Sequence, residues 1–159
     1  MRSVGHNNKT AGNIFEEEFA QMLKSRGFWV HRMAQSAEGQ PADIIAQRNG
    51  CVWLIDCKVC ACDRFPLNRV EYNQHLSMQA WMSAGGTVPY FALLLSDGTV
   101  RMLSFPDIQK LESMDIKSIS VASGSIDDNT CSLDNWTTAV KLWEVKHSAN
   151  DTHRGRSKS

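Results

Sequence analysis

PADIIAQRNGCVWLIDCKV, residues 41 to 59, is the stretch that decides the fold. Two apolar runs, 42–47 and 51–59, flank Asn49-Gly50, a strong two-residue hairpin signal. Asp43 and Asp56 stand equally far from that turn, so a hairpin closed there sets them opposite one another. Residues two apart on a strand share a face. Leu54, Asp56 and Lys58 therefore point one way, and Ile55, Cys57 and Val59 point the other. The second face is apolar and reads as core. The first carries a carboxylate beside an ammonium at the strand's end, where solvent is expected to reach. Opposed neighbours lie about 4.5–5.5 Å apart at Cβ, close enough for two carboxylates to share a divalent cation. Without a cation the pair repels, or one member holds a proton. Hard oxygen ligands of this kind suit Mg²⁺ or Mn²⁺, and Lys58 is placed to direct a water or a phosphate charge. A surface salt bridge across a hairpin explains the same residues, and pattern alone leaves both readings open.

Outward from the hairpin, residues 10–26 read as a helix, with Phe15, Phe19, Met22 and Leu23 on one stripe and Gly27 at the C-terminal cap. FWVHRM (28–33) reads as a strand, followed by a polar loop to Pro41. Past the hairpin, residues 60–67 break the pattern. A second helix is predicted over 68–84, stopped by Gly85-Gly86. TVPYFALLL (87–95) is a strand whose unbroken apolar run implies burial on both faces. Asp97-Gly98 turns it into a partner strand, 99–103. Ser104 with Asp107 resembles a cap opening a short helix over 105–112. Residues 113–131 are polar and irregular, with GSIDDN as a loop. Leu133, Trp136, Val140 and Trp143 then fall on one helical face. A helix between the third and fourth strands permits a crossover. The expected fold is α/β: a mixed central sheet of about five strands flanked by helices. Residues 1–112 form its core, and 113–159 add a C-terminal extension with an amphipathic helix and a basic tail in the same domain.

The 159 residues suit one domain with a real core. No apolar run approaches the roughly 18 residues of a membrane span, and MRSVGHNNKT shows no secretory h-region. The expected setting is cytoplasmic (host cytoplasm for a phage-encoded chain). Seventeen basic and 17 acidic side chains cancel, which excludes wholesale basicity as a reason to bind nucleic acid but allows a local patch. The tail HRGRSKS (153–159) reads as a frayed end or, more sharply, as a phosphate-contacting arm.

Five cysteines, an odd number, argue against a complete disulfide framework. Cys51, Cys57, Cys60 and Cys62 lie within twelve residues, and a zinc or iron–sulfur centre would need all four to converge. Cys51 and Cys57 share the core-facing parity, and Cys60 has the opposite one. Convergence would require a sharp bend after Val59. Buried thiols and an exposed loop pair are the simpler expectation.

Pro41-Ala42-Asp43, twelve residues, then Asp56-Cys57-Lys58 resembles the PD-(D/E)xK nuclease motif, with Ala inserted after the proline and Asp in place of the commoner Glu. GNIFEEEFAQML (12–23) resembles the first helix of Holliday junction resolvases, whose Gly-x-x-x-Glu pattern falls on Glu16. RFPLNRVEYNQHL (64–76) resembles the segment after the motif in RecU-like resolvases, including a Gln entering the helix, here Gln74. GGTVPYFALLL resembles the strand that follows in bacterial and archaeal resolvases. The likeness covers roughly residues 10–112. It implies a restriction-endonuclease-like core and a homodimer that cuts four-way DNA junctions in recombination and repair, using Mg²⁺ or Mn²⁺. It implies metal ligation by Asp43, Asp56, Glu16 and the Cys57 backbone carbonyl, with Lys58 beside the metal and Gln74 in support. Arg32, Arg64 and Arg69 are further candidates for phosphate contact. The competing expectations are a nuclease of the same fold acting on other DNA structures, a non-catalytic DNA-binding module, and a cysteine–metal protein.

Overall fold

The structure, a computed structural model, describes residues 4–34, 39–122 and 129–156, the side chains at 4–9 and 148–156 excepted. Helix α1 (Val4–Ser25) leads into strands β1 (Trp29–Arg32), β2 (Ile44–Arg48) and β3 (Cys51–Cys60). A short strand β4 (Arg64–Pro66) and a 3₁₀ turn (Leu67–Arg69) precede helix α2 (Tyr72–Ser83). Then come β5 (Tyr90–Leu95), β6 (Val100–Ser104), α3 (Phe105–Ser113), β7 (Ser118–Ser120), β8 (Cys131–Ser132) and α4 (Leu133–Arg156).

The central sheet runs β1-β2-β3-β5-β6-β8. It is antiparallel throughout except for the β3–β5 pair, which is parallel because α2 carries the chain back over the sheet. The β2–β3 register pairs Ile44 with Ile55 and Arg48 with Cys51, the pairing that a turn at Asn49-Gly50 requires. Both turn residues take the left-handed backbone, φ 49° and 78°, which Asn and Gly tolerate best.

Each face of the sheet is covered. On one, Phe15, Phe19 and Leu23 of α1 and Leu133, Trp136 and Val140 of α4 pack on Ile44, Trp53, Ile55 and Met102. On the other, Met78 of α2 and Phe105, Ile108 and Leu111 of α3 pack with Phe65, Leu67 and Ile119 over Leu54, Phe91, Leu93 and Leu103. Trp136 is fully buried, against Phe28, Trp53 and Tyr90 at ring distances of 5.7–5.8 Å. Among the described residues no helix is long and apolar enough to cross a membrane.

Several boundaries differ from the sequence reading. The sheet has six strands, one more than counted, because Cys131 and Ser132 add a short edge strand to β6. The stretch read as irregular after residue 113 contains β7, which pairs with β4 in a separate two-stranded ribbon. The first helix begins before residue 10. The second begins at Tyr72 rather than 68: a 3₁₀ turn comes first, burying Leu67 within it and Val70 at its C-cap. Residues 123–128, most of the GSIDDN loop, and 157–159 lie outside the described residues, as do the side chains of the basic tail.

Candidate active site

Strand β3 outruns its partner. Antiparallel pairing with β2 stops at Ile44–Ile55, while β3 continues to Cys60. The edge left beyond Ile55 is completed by side chains. The Asp43 carboxylate accepts the Cys57 N–H at 2.8 Å, and the Arg69 guanidinium donates to the Val59 carbonyl at 2.7 Å. Asp43 thus sits where the next ladder residue would be, with its carboxylate turned toward the strand that carries Asp56. The opposition read from the turn is present, in side-chain form.

Asp56 follows Leu54 onto the α2 face of the sheet, where only 1% of its surface is exposed. The sequence reading expected solvent here; Gln74 of α2 instead covers the carboxylate. Gln74, on the first turn of α2 and itself buried, donates Nε2–H to Asp56 Oδ1 at 2.9 Å. Lys58 Nζ lies 3.1 Å from Asp56 Oδ2. That oxygen is buried and takes no hydrogen bond of good geometry. Burial drives the Asp56 carboxyl well above the ordinary Asp range, and the neighbouring Asp43 charge pushes the same way, with Lys58 only partly offsetting them.

Glu16 projects from α1 into the same cleft. Its carboxyl is also raised, first by burial and then by Asp43, against the opposing pull of Arg32. Arg32, from edge strand β1, lies 3.8 Å from Glu16 Oε1. The cleft has a volume of about 800 Å³; its wall includes Gly12, Glu16, Asp43, Asp56, Lys58 and Gln74, with Arg64, Arg69 and Glu71 around them. All the acidic candidates, Lys58 and Gln74 are therefore in one concavity. Arg69 is committed to the Val59 carbonyl and stacks near Phe65, so it shapes the strand edge. Arg64 remains exposed on the cleft wall, touching Ser118.

Among the described residues no three His, Cys, Asp or Glu side chains make a compact metal-binding cluster. For the cysteines this follows from strand parity. Cys51 and Cys57 pack in the α1 core and Cys60 in the α2 core, while Cys62 is exposed. Burial, aided by the surrounding carboxylates, pushes the Cys57 thiol well up, away from the thiolate a soft metal needs. The acidic residues do fit a hard divalent cation. Among the described residues, Asp56 Oδ2 is a buried acceptor met only by the Lys58 ammonium, and burial together with the Asp43 charge disfavours the ionised Asp56 and Glu16, which a cation would offset. The donor set is oxygen, as Mg²⁺ or Mn²⁺ prefers.

Sequence reasoning missed Glu71. It is the N-cap of α2, and its main-chain N–H donates to Gln74 Oε1 at 3.2 Å. The Glu-x-x-Gln spacing of a capping box was there to see, but Glu is not among the preferred N-caps.

A mixed sheet crossed by a helix, with an Asp…Asp-x-Lys constellation at the point where one strand outruns its neighbour, defines the restriction-endonuclease-like class of the PD-(D/E)xK superfamily. A family model described as archaeal Holliday junction resolvase (Hjc) matches residues 7–135, and the chain belongs to that family. It is 32% identical over 82 residues to the crossover junction endodeoxyribonuclease Hjc of Methanocaldococcus jannaschii, an alignment spanning 52% of this chain and 57% of that protein. The chain thus matches little more than half the length of this relative. The fold is similar to the 1.6 Å structure of Archaeoglobus fulgidus Hjc, a Holliday junction resolvase from an archaeal hyperthermophile. The TM-score is 0.60 over 80% of this chain and 96% of that one, at 21% identity.

Proposed function

We propose that this protein is a metal-dependent endodeoxyribonuclease that resolves Holliday junctions by phosphodiester hydrolysis. The observation that carries the reading is Asp56, a buried carboxylate facing Asp43, with Lys58 at 3.1 Å. A structural ion pair does not need a second carboxylate pressed against a buried first one, since that costs stability.

In this reading Asp43 and Asp56 hold Mg²⁺ or Mn²⁺, with Glu16 assisting. The Cys57 carbonyl joins them, because an extended residue directs its C=O to the same edge as its N–H, and the Cys57 N–H meets Asp43. When bound, such a cation polarises a phosphoryl oxygen and lowers the pKa of water. The protein's own groups do the rest. Lys58 holds the attacking water or the developing phosphate charge through its ammonium. Gln74 fixes the Asp56 carboxylate, and Arg32 holds Glu16 in the cleft. Arg64 meets backbone phosphate from the cleft wall. A four-way junction offers two equivalent strands, so paired cuts imply a homodimer presenting two such clefts. A cytoplasmic setting, the host cytoplasm for a phage-encoded chain, suits this role.

The test compares a synthetic four-way junction, a linear duplex and single strands, with Mg²⁺ or EDTA. Symmetric paired nicks on the junction, abolished by EDTA and by Asp56→Asn, are expected. Equal cleavage of the linear duplex would replace the junction with DNA in general as the substrate. Binding without cleavage, the same for wild type and Asp56→Asn, would reject the catalytic reading.

A further inference from the structure

The amide of Gln74 could in principle present either end to Asp56, its oxygen or its NH₂. Only the NH₂ is useful there, since an amide oxygen would face a carboxylate. The first turn of α2 settles which end it is. Gln74 occupies the third position of the helix, and its Oε1 reaches back to accept the Glu71 N–H at 3.2 Å. That leaves Nε2 as the end aimed at Asp56, which it meets at Oδ1, 2.9 Å away. Oδ2 is the oxygen that remains, buried and 3.1 Å from the Lys58 ammonium.

We infer that the Glu71 main-chain N–H and the Gln74 side chain act as one positioning device, in which the helix cap fixes the sense of the amide and the amide selects the Asp56 oxygen presented to the cation. This rests on the reading of Asp56 as a metal ligand. Neither residue touches the reacting atoms; both act through Asp56. Outer-shell hydrogen bonds of this kind orient ligands, and losing one costs about 10–100-fold in metal affinity. An amide free to flip would set an acceptor against Asp56 whenever its oxygen turned inward.

The backbone allows a clean test of the main-chain role. Glu71 has φ −71° and ψ 154°, and Val70 before it has φ −78° and ψ 111°. Both suit a proline at 71, which removes the N–H without strain. Glu71→Pro deletes the donor and the carboxylate; Glu71→Ala keeps the donor and removes the same carboxylate, which accepts the Gln74 main-chain N–H in the capping box, so the pair isolates the Glu71 N–H. Gln74→Met, of similar length and apolar, deletes the amide.

Two quantities are measured on the full chain: Mn²⁺ affinity by calorimetry, and hydrogen exchange of the Gln74 side-chain amide by NMR in EDTA. Gln74→Met identifies the resonance by its disappearance. Glu71→Pro and Gln74→Met are each expected to bind Mn²⁺ about tenfold more weakly, and Glu71→Ala within about twofold of wild type. The double variant is expected to be no weaker than Gln74→Met alone, because the two groups form one chain of contacts. The amide should exchange slowly in wild type and in Glu71→Ala, and quickly in Glu71→Pro. Multiplying losses in the double variant, or unchanged Mn²⁺ affinity and amide protection in Glu71→Pro, would overturn the inference. Asp56→Asn with wild-type Mn²⁺ affinity would instead remove the metal reading beneath it, and the amide measurement would still decide the positioning.

Discussion

The Asp43 carboxylate accepts the main-chain N–H of Cys57 at 2.8 Å, just past Ile44–Ile55, the last β2–β3 ladder pair. A single group thereby does two jobs. It satisfies the edge of β3 where β2 has ended, and it holds a negative charge against Asp56. The first job needs only an acceptor; the second needs an anion.

Substitutions at Asp43 separate them. Asp43→Asn retains a carbonyl oxygen for Cys57 and removes the repulsion. It is expected to fold with stability equal to or above wild type while losing at least about 100-fold in cleavage. Asp43→Ala leaves the Cys57 N–H without its partner and is expected to cost about 1–3 kcal/mol as well. Urea unfolding with EDTA present, beside junction cleavage in Mg²⁺, checks both. Equal stability losses in the two variants would mean that the acceptor role is unimportant.

Asp56 makes the stability of the metal-free protein depend on pH. Its carboxyl is raised above the ordinary value of 3.8, first by burial and then by Asp43. A group raised on folding contributes stability that is fully present below its unfolded pKa and is lost as pH rises through the folded one. In EDTA, wild type should therefore lose stability relative to Asp56→Asn from about pH 4 upward, the window set by the unfolded value. The variant is therefore expected to be the more stable of the two at neutral pH. Thermal melts across this range measure the difference, and Mg²⁺ should raise the wild-type curve alone. Parallel curves for the two proteins in EDTA would show that Asp56 is not strained by its surroundings.

The sequence made the local part of this arrangement readable and hid the non-local part. Asn49-Gly50 set the register, so the opposition of Asp43 and Asp56 and the alternation of Leu54, Asp56 and Lys58 could be read from position alone. The stripe Leu133, Trp136 and Val140 marked α4 for the same reason. The burial of Asp56 could not be read, because it depends on α2 returning across the sheet with Gln74 at its first turn. Nor could β7 or β8. Three residues and two residues leave no alternation to count, and their strand character comes from β4 and β6, the partners they meet. The helix read from residue 68 begins four residues later because a 3₁₀ turn, Leu67–Arg69, precedes α2.

Trp136 ties α4 to the central sheet. Its ring is 1% exposed and packs on Phe28, Trp53 and Tyr90. Trp136→Ala is expected to destabilise the protein by about 3–5 kcal/mol, measured by urea unfolding followed through a single cooperative transition. A loss below about 1 kcal/mol would mean that α4 is an appendage on an independently stable core.

Gly12 gives the last prediction, because no internal reason for it is evident. It lies inside α1, where glycine costs about 1 kcal/mol relative to alanine. A Cβ added there would meet nothing within 4 Å. The residue lines the cleft one turn before Glu16. In the proposed function, bare backbone at that position lets a phosphodiester strand approach the carboxylates closely. Gly12→Ala is therefore expected to raise the melting temperature by about 2–4 °C while weakening junction binding several-fold, with Mn²⁺ affinity unchanged. The opposite signs matter, since a merely structural glycine would move stability and binding together. A variant that is stabilised and still binds and cuts like wild type would show that the open space at Gly12 is not used by DNA.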